Sequence, residues 1–211
     1  MRILDETKRL VSMASTRQTI GPPPASRRSE RARRAILEAA DDLLVENGFA
    51  NLTIEAIAAR AGVGKQTIYR WWPSKAAVLM DALGEDLVEH LTPADRDGVE
   101  AALREHLGAL ARFLALSEAG AVYRALVGQA QHDPEMAATF RNEYLQPLRE
   151  RELAILERGV ARGELPTDLD LELALDQLVG PIHHRVLVTG EPAGGEFVDR
   201  LVDRFMAGAR R

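Results

Sequence analysis

The chain has 211 residues, of which 46% are hydrophobic and 28% are charged, the balance expected of a soluble globular protein with one large or two small domains. It contains no cysteine, so disulfides and cysteine-ligated metals are excluded, and we expect a cytoplasmic location. No apolar run approaches the roughly 18 residues of a membrane span, and the N-terminal segment lacks the apolar stretch of a secretory signal.

The formal net charge of −5 is unevenly distributed along the chain. Residues 1–25 carry a balance of +2 and residues 26–75 a balance of +3, whereas residues 76–211 carry −10. A basic N-terminal part joined to an acidic remainder is typical of a small nucleic-acid-binding module attached to a partner or ligand domain. Because many acidic domains show such an imbalance by chance, the asymmetry supports this interpretation only together with a motif.

Residues 1–28 show no sustained hydrophobic period and are predicted to form a disordered, basic and proline-rich arm. Residues 21–24, Gly-Pro-Pro-Pro, cannot continue a helix, so we expect disorder to about Ser26. Translation could start at Met1 or at Met13. A basic cluster follows, which either contacts phosphates or is a solvated run: Arg27, Arg28, Arg31, Arg33 and Arg34.

The next segment, residues 29–75, is predicted to contain three helices. Ser29 can cap the first helix, and Gly48 ends it. The second helix begins after Thr53, which is a good N-cap, and Gly62 follows it at a position where a left-handed glycine is usual. Its apolar face consists of residues at i, i+3, i+4 and i+7, namely Ile54, Ile57, Ala58 and Ala61.

A third helix is predicted over residues 65–72, and Pro73 ends it because the residue before proline is displaced from the helical region. Ile68 and Trp72 lie four apart on its inner face, while its outer face is polar, aromatic and basic. Two short helices joined by a glycine-containing turn form a helix-turn-helix, whose second helix lies in the major groove of DNA. An ordinary helical hairpin is the alternative that spacing alone leaves open.

The residues of this segment resemble the DNA-binding motif of TetR-family transcriptional regulators over residues 30–85. The sequence departs from the usual motif at Gly64 and at the Trp71-Trp72 pair. The resemblance implies that residues 29–75 form a DNA-binding domain. The matching pieces are Asn47-Gly48-Phe49, Thr53-Ile54, Ile57-Ala58, Ala61-Gly62-Val63, Lys65, Thr67-Ile68-Tyr69, Trp72 and Ser74-Lys75.

The third helix carries the residues that we expect to contact DNA. Gln66 and Arg70 share a face, and their side chains can make bidentate hydrogen bonds with adenine and guanine, respectively. We therefore expect Gln66, Thr67 and Arg70 to contact base edges. The residues expected to contact the phosphate backbone are Lys65, Tyr69, Trp71, Thr53 and Lys75.

Residues 76–211 show helical periodicity and no strand alternation, so the whole chain is predicted to be all-α with about nine helices. The resemblance implies that this part forms a domain for effector binding and dimerisation. The helices of this part are predicted over residues 75–91, 99–116, 119–131, 134–162 with a bend at Pro147, 169–189 and 196–208.

Apolar stripes run along the last two predicted helices and fit either a core or a subunit interface. TetR-like proteins pair two such helices with those of a second subunit, so the resemblance implies a homodimer. A short helix-turn-helix that reads one half-site also gains affinity by pairing. The interface is predicted at Leu175, Leu178, Ile182, Phe197, Leu201 and Phe205.

No catalytic or metal-binding constellation is recognisable in the sequence, so no enzyme activity, metal site or cofactor is predicted. His183 and His184 are adjacent and diverge by about 100° on a helix, so they cannot both chelate one ion easily. The resemblance implies instead a small-molecule pocket, although each candidate could equally be ordinary core or surface. The candidates are Phe113, Tyr123, Phe140, Tyr144, His183 and His184.

The sequence thus predicts a TetR-like regulator, a ligand-responsive repressor that binds a pseudo-palindromic double-stranded DNA operator as a homodimer. A small-molecule effector, which the sequence does not identify, would move the fourth helix and change the separation of the two DNA-binding heads. The alternative is an all-α ligand-binding or enzymatic protein whose helix-turn-helix does not bind DNA.

Overall fold

The computed structural model describes residues 24–93 and 96–209, with side chains from Ser29 onward. Within these ranges the chain forms ten α-helical segments and no strand, so the all-α prediction is confirmed. A π-helical segment joins two of them, Pro134–Phe140 and Gln146–Ala161, into one continuous helix. The described residues therefore contain nine separate helices, as predicted. The predictions for residues 1–23 lie outside the described residues.

The first helix, α1, spans Pro24–Asn51 and is interrupted at Gly48, where φ is 73° and ψ is 164°. The chain divides into two compact units, residues 1–34 and 35–211, and α1 begins in the first of them. The helix begins five residues before the predicted start at Ser29, so that prediction is wrong. The disorder expected to Ser26 is wrong for residues 24–26, which are helical. Proline is tolerated in a first helical turn because its missing N–H would have no partner there. The domain limits at residues 28 and 75 stay predictions.

Two short helices follow, α2 (Ile54–Ala61) and α3 (Lys65–Tyr69). The helix predicted over residues 65–72 is shorter in the structure, because Arg70 is already the C-cap of α3. The backbone N–H groups of Trp71 and Trp72 still donate to the Ile68 carbonyl, so the chain continues to turn without forming regular helix. The side chains that pack these helices together are buried: Leu52, Ile54, Ile57, Ala58, Ile68 and Trp72.

The next three helices have the predicted extents to within a residue or so. Helix α4 spans Lys75–Leu91, α5 spans Val99–Leu116 and α6 spans Glu118–Ala130. Serines cap two of them, since the Ser74 hydroxyl accepts from the Ala77 N–H and the Ser117 hydroxyl from the Gly120 N–H.

The long helix predicted over residues 134–162 consists of α7 (Pro134–Phe140), a π-helical segment (Arg141–Leu145) and α8 (Gln146–Ala161). The π-helical segment lies just before Pro147, where a bend was predicted. Proline has no N–H to donate and its ring clashes with the carbonyl four residues earlier, so the backbone widens at this point.

The last two helices are α9 (Leu171–His183), which continues into a π-helical segment (His184–Thr189), and α10 (Gly195–Ala209). Two arginines hold them to earlier helices. Arg104 of α5 forms ion pairs with Asp199, at 3.0 Å, and with Asp203 of α10. Arg149 of α8 bonds Glu172 and Asp176 of α9, the latter at 2.7 Å. In the described residues, no helix is both long enough and apolar enough to cross a membrane.

Candidate functional site

The turn between α2 and α3 is fixed by glycine. Gly62 adopts the left-handed conformation with φ of 66°, which glycine adopts without steric penalty. The Gly62 and Val63 N–H groups donate to the carbonyls of Ala59 and Ala58, which is the Schellman arrangement that ends a helix. This turn sets the direction in which α3 leaves α2, and hence which face of α3 is presented to solvent.

Helix α3 has a buried inner face and an exposed outer face. Ile68 is 0% exposed and Trp72, just beyond the helix, is 5% exposed. On the outer side Thr67 and Trp71 are half-buried, while the other side chains of α3 and its C-cap that are predicted to contact DNA are exposed. Four residues on the outer face of α3 and at its C-cap are exposed: Lys65, Gln66, Tyr69 and Arg70.

Two of these exposed cations already have neighbours within the motif. The Lys65 ammonium lies 2.9 Å from the Glu55 carboxylate, a hydrogen bond that raises the pKa of Lys65 and lowers that of Glu55. The Arg70 guanidinium stacks 4.9 Å from the centre of the Trp71 ring. Trp71 therefore orients Arg70, while the Lys65 ammonium is already paired with Glu55.

Thr53 and Lys75, both predicted to contact phosphate, have structural tasks in the folded chain. The Thr53 hydroxyl accepts from the Ala56 N–H at 3.1 Å and caps α2. The Lys75 ammonium donates to the carbonyls of Phe49, at 2.6 Å, and Leu52, at 2.8 Å, and lies over the Phe49 ring. The sequence analysis missed this role, although the break at Gly48 leaves nearby carbonyls that need donors.

The motif is tied to helix α4 through Trp72. Its indole Nε1 donates to the Asp81 carboxylate at 2.9 Å, and its ring meets Trp71 edge-on at 5.3 Å between centroids. Further along α4, a Cβ added at Gly84 would approach the Tyr144 ring to 2.9 Å. Tyr144 belongs to the first π-helical segment, so α4 contacts both the motif and that segment.

A second feature near α4 is a buried carboxyl oxygen with no hydrogen-bond partner among the described residues. The Oδ1 atom of Asp41, on α1, is buried and unpaired. Burial is the main cause that raises the pKa of Asp41 to about 7, and the nearby charges of Asp86, Asp42 and Glu118 add to it.

Five of the six predicted pocket residues form one chain of ring contacts. Phe113 meets Tyr123 at 6.4 Å, Tyr123 meets Phe140 at 6.0 Å and His183 at 5.8 Å, and Phe140 meets Tyr144 at 6.4 Å. His184 is exposed and lies outside this chain. Their assignment to a ligand site stays a prediction.

Next to this aromatic chain lies an open cleft of about 300 Å³, which we call the effector cleft after the small-molecule effector that the family resemblance predicts. Of the predicted residues, only Tyr123 and His183 line it. Sequence reasoning missed the remainder, which come from α5, the first π-helical segment, α8 and α9: Leu110, Arg141, Leu145, Gln146, Leu148, Arg149, Glu152 and Val179.

The inner wall of the effector cleft carries two polar pairs. The Glu152 carboxylate lies 3.0 Å from His106 Nε2, and both side chains are buried. His183 Nδ1 lies 3.1 Å from the Val179 carbonyl, which can only accept, so Nδ1 carries the proton. Nε2 then accepts from the Tyr123 hydroxyl, which lies 3.0 Å away and has a hydrogen to donate. Burial, and secondarily the charge of Glu152, raise the pKa of Tyr123, so it stays protonated.

The position of Glu152 in the sequence is the one feature that could have indicated its role. It lies four residues after Leu148 and three before Ile155, in line with the apolar stripe that α8 buries. A charged residue at a core position of an amphipathic helix needs a buried partner or a ligand.

A larger cleft, of about 580 Å³, lies between the end of α5 and the glycine-rich loop before α10. Arg112 and Arg124 contribute to its lining, and no residue predicted for the pocket does. We find there no buried charged side chain comparable to Glu152 among the described residues.

The predicted interface residues fall into two groups. Leu175, Leu178 and Ile182 are buried within the single chain and leave almost no surface for a second subunit. On α10, by contrast, Phe197, Leu201 and Phe205 are only partly buried, and the first is stacked under the Arg185 guanidinium. The α10 residues are thus the ones with apolar surface available for a partner.

Comparisons with known proteins agree with this arrangement. Residues 36–82 match the family described as "Bacterial regulatory proteins, tetR family", and residues 93–205 match "Tetracyclin repressor-like, C-terminal domain". The chain is 41% identical to the uncharacterized HTH-type transcriptional regulator YdeS of Bacillus subtilis, over 83% of this chain and 88% of that protein.

Two further relatives extend the comparison. The chain is 31% identical to the DNA-binding transcriptional repressor TetR of Mycobacteroides abscessus, over 83% of this chain and 92% of that protein. The crystal structure of the TetR family transcription regulator SCO0332 has a TM-score of 0.72 and 32% identity, covering 84% of this chain and 98% of the other. This chain therefore belongs to the TetR family of helix-turn-helix transcriptional regulators.

Proposed function

We propose that this regulator is a homodimeric repressor that binds a pseudo-palindromic operator and leaves it when a small molecule occupies the effector cleft. The observation that carries the proposal is the division of α3 into a buried face, Ile68 with Trp72, and an exposed face that carries Gln66 and Arg70. Because its operator would be chromosomal DNA, the protein would act in the cytoplasm.

The exposed face of α3 supports a division of tasks among its residues. Gln66, Thr67 and Arg70 would contact base edges in the major groove, and stacking on Trp71 would pre-orient Arg70. Lys65, Tyr69 and Trp71 would contact phosphates, which position the helix without specifying sequence. Thr53 and Lys75 would act mainly by holding α2 and the end of α1 in place.

Dimerisation would use the partly buried side chains of α10. A paired arrangement places two copies of α3 in successive major grooves, roughly 34–36 Å apart along the DNA. A change in that separation would withdraw one copy of α3 from its half-site, so dimer geometry is the quantity that an effector needs to alter.

The contacts of α4 support a route for this coupling. Arg141 and Leu145 line the effector cleft, and Tyr144, in the same π-helical segment, packs against Gly84 of α4. Three residues earlier on α4, Asp81 accepts the hydrogen bond from Trp72. An effector that displaces the π-helical segment would thus move α4 and, through Trp72, the helix-turn-helix.

The test is a binding titration with pseudo-palindromic fragments taken from beside the protein's own gene, with a scrambled fragment as control. We expect the logarithm of affinity to fall with the logarithm of salt concentration with a slope of roughly −5 to −10, since a dimer neutralises that many phosphates. A slope near zero, or equal affinity for the scrambled fragment, would overturn the DNA-binding proposal.

The dimer is tested separately by light scattering on Leu201→Glu. A charge in the apolar surface of α10 should convert the dimer to monomer or aggregate, because an unpaired charge cannot be buried at an interface. Ala207→Glu is the matched control, since Ala207 is exposed on the same helix. A stable Leu201→Glu dimer would place the interface elsewhere.

A further inference from the structure

The effector cleft contains a buried carboxylate that is only partly paired. Glu152 is 5% exposed, and burying a carboxylate is costly unless its oxygens gain hydrogen bonds or a counter-charge. A carboxylate offers about four acceptor positions on its two oxygens. His106 is the one hydrogen-bond donor to Glu152 that we find within residues 24–93 and 96–209, and it bonds Oε1.

The second oxygen, Oε2, has no hydrogen-bond donor in the described part of the chain. Glu152 is buried from bulk solvent and lines the effector cleft, so we infer that Oε2 faces the cleft. The cleft thus presents a negatively charged acceptor to whatever enters it.

The other polar groups of the cleft interior do not offset this charge. The Tyr123 hydroxyl already donates its hydrogen bond to His183, so its oxygen can only accept a further hydrogen bond. Arg149 is held by two carboxylates, Glu172 and Asp176.

Three charged side chains line the cleft, Arg141, Arg149 and Glu152, and the charge of Arg149 is already paired with Glu172 and Asp176. Arg141 is exposed, and we find no ion pair between it and Glu152 among the described residues.

We propose, building on the effector-responsive function above, that the effector is a small molecule with a protonated amine or another cationic nitrogen head bound by Glu152. Its apolar body would lie against Leu110, Leu148 and Val179, beside the Tyr123 ring. The cleft volume of about 300 Å³ is at the lower end of ligand pockets, which favours a compact molecule.

The same geometry disfavours effectors of the opposite chemistry. An anionic head at the inner wall would face the Glu152 carboxylate in a site of low dielectric, where repulsion is strong. A long acyl tail would cover Oε2 without offering it a donor, which leaves a buried charge unpaired.

The test uses three probes with one body and different heads, namely phenylbutylamine, phenylbutanol and phenylbutyrate, titrated calorimetrically into the full-length protein without DNA. We expect the amine to bind about tenfold or more tightly than the alcohol, the ratio that a charge-assisted hydrogen bond supplies, and the carboxylate to bind most weakly. Equal or tighter binding of the carboxylate, or no binding of any probe, would overturn the proposal.

A matched pair of variants locates the effect. Glu152→Gln keeps the shape of the side chain and should reduce amine affinity to that of the alcohol while leaving alcohol affinity unchanged. Glu150→Gln makes the same change at an exposed position of α8 and should alter neither. An amine preference that survives in a folded Glu152→Gln protein would overturn the assignment, and the order of the probes in the unaltered protein decides the question if that variant does not fold.

Measuring operator release in the presence of the amine tests the proposed function separately from the amine specificity of the cleft. Amine binding in the expected order, without release of the operator, would support the amine specificity and overturn the effector response. If the protein does not bind operator DNA at all, the proposed function fails, while the probe titration still decides what the cleft binds.

Discussion

The helix-turn-helix and the effector cleft differ in how far along the sequence their contacts reach. In the motif, Lys65 bonds a residue 10 positions away, Trp72 bonds one 9 positions away, and Lys75 at its end bonds carbonyls 23 and 26 positions away. In the cleft, the His106–Glu152 contact joins residues 46 positions apart and the Tyr123–His183 contact joins residues 60 apart. Contacts between residues close in sequence produce a contiguous sequence pattern that can be recognised as a motif. Contacts between residues far apart in sequence involve single residues scattered along the chain, which form no such pattern.

The two regions also differ in whether their polar groups are exposed or buried. The motif buries Ile68 with Trp72 and exposes Gln66 and Arg70 to a solvated, highly charged partner. The cleft buries the Glu152 carboxylate and presents one oxygen inward. Changes in the motif should therefore separate into effects on stability and effects on DNA binding, and the following experiments test that separation.

The largest expected effect comes from emptying the buried side of the motif. Trp72→Ala should lower the free energy of unfolding by about 3–5 kcal/mol, the usual cost of removing a buried aromatic side chain. Thermal and denaturant unfolding would measure it, with Trp71→Ala as a half-buried control that loses less. Trp72→Phe should restore most of the packing but not the bond to Asp81. An unchanged melting temperature in Trp72→Ala would show that the faces of α3 are assigned the wrong way round.

Asp41 provides the next largest effect, one that depends on pH. Its pKa is about 7 in the folded protein and near the ordinary aspartate value of 3.8 in the unfolded chain, so the folded state binds more protons between these two pH values. Stability is therefore highest below the unfolded pKa and falls as pH rises through the folded pKa. Asp41→Asn removes this loss and should stabilise the protein by about 2–4 kcal/mol at about pH 8, and much less at about pH 5.

Glu38→Gln is the control for Asp41→Asn, since Glu38 is exposed on the same helix and is not among the charges that raise the pKa of Asp41. Its unfolding free energy should keep the pH dependence of the parent protein. If Asp41→Asn also follows the parent curve at every pH, then burial among Asp86 and Glu118 does not hold the Asp41 proton.

A smaller effect is expected on the exposed side of α3. Arg70→Ala should weaken operator binding by about 1–3 kcal/mol and relax the preference at one base position per half-site, without changing the melting temperature. Lys65→Ala should instead weaken binding to all sequences equally and lower the salt slope by roughly one per subunit. A panel of single-base operator variants distinguishes them, and full base preference in Arg70→Ala would remove it from the base-contacting set.

The smallest expected effect concerns the ion pair at the edge of the motif. Glu55→Gln frees Lys65 and removes a negative charge near the DNA, so affinity for any duplex should rise by less than about fivefold. Glu46→Gln is the control, because Glu46 pairs with Arg60 rather than with a residue of α3. Weaker binding in Glu55→Gln would mean that the pair orients Lys65 and does not compete with DNA for it.

By itself the sequence determined the helical class, most helix limits and the two faces of α3. These depend on the 3.6-residue period, on caps such as Ser74 and on left-handed glycines such as Gly62, all of which act between residues close in sequence. The shorter α3 and the early start of α1 at Pro24 are end effects, which local patterns fix only to within a few residues.

Only the tertiary structure decided which side chains meet at the cleft and which surfaces remain open. An apolar stripe predicts that Leu175, Leu178 and Ile182 are buried, but not whether their own chain or a second subunit covers them. Glu152 likewise gains its role from His106 on another helix, and Lys75 from carbonyls more than 20 residues earlier. Such partners are chosen by how the helices pack, a property that no single stretch of sequence carries.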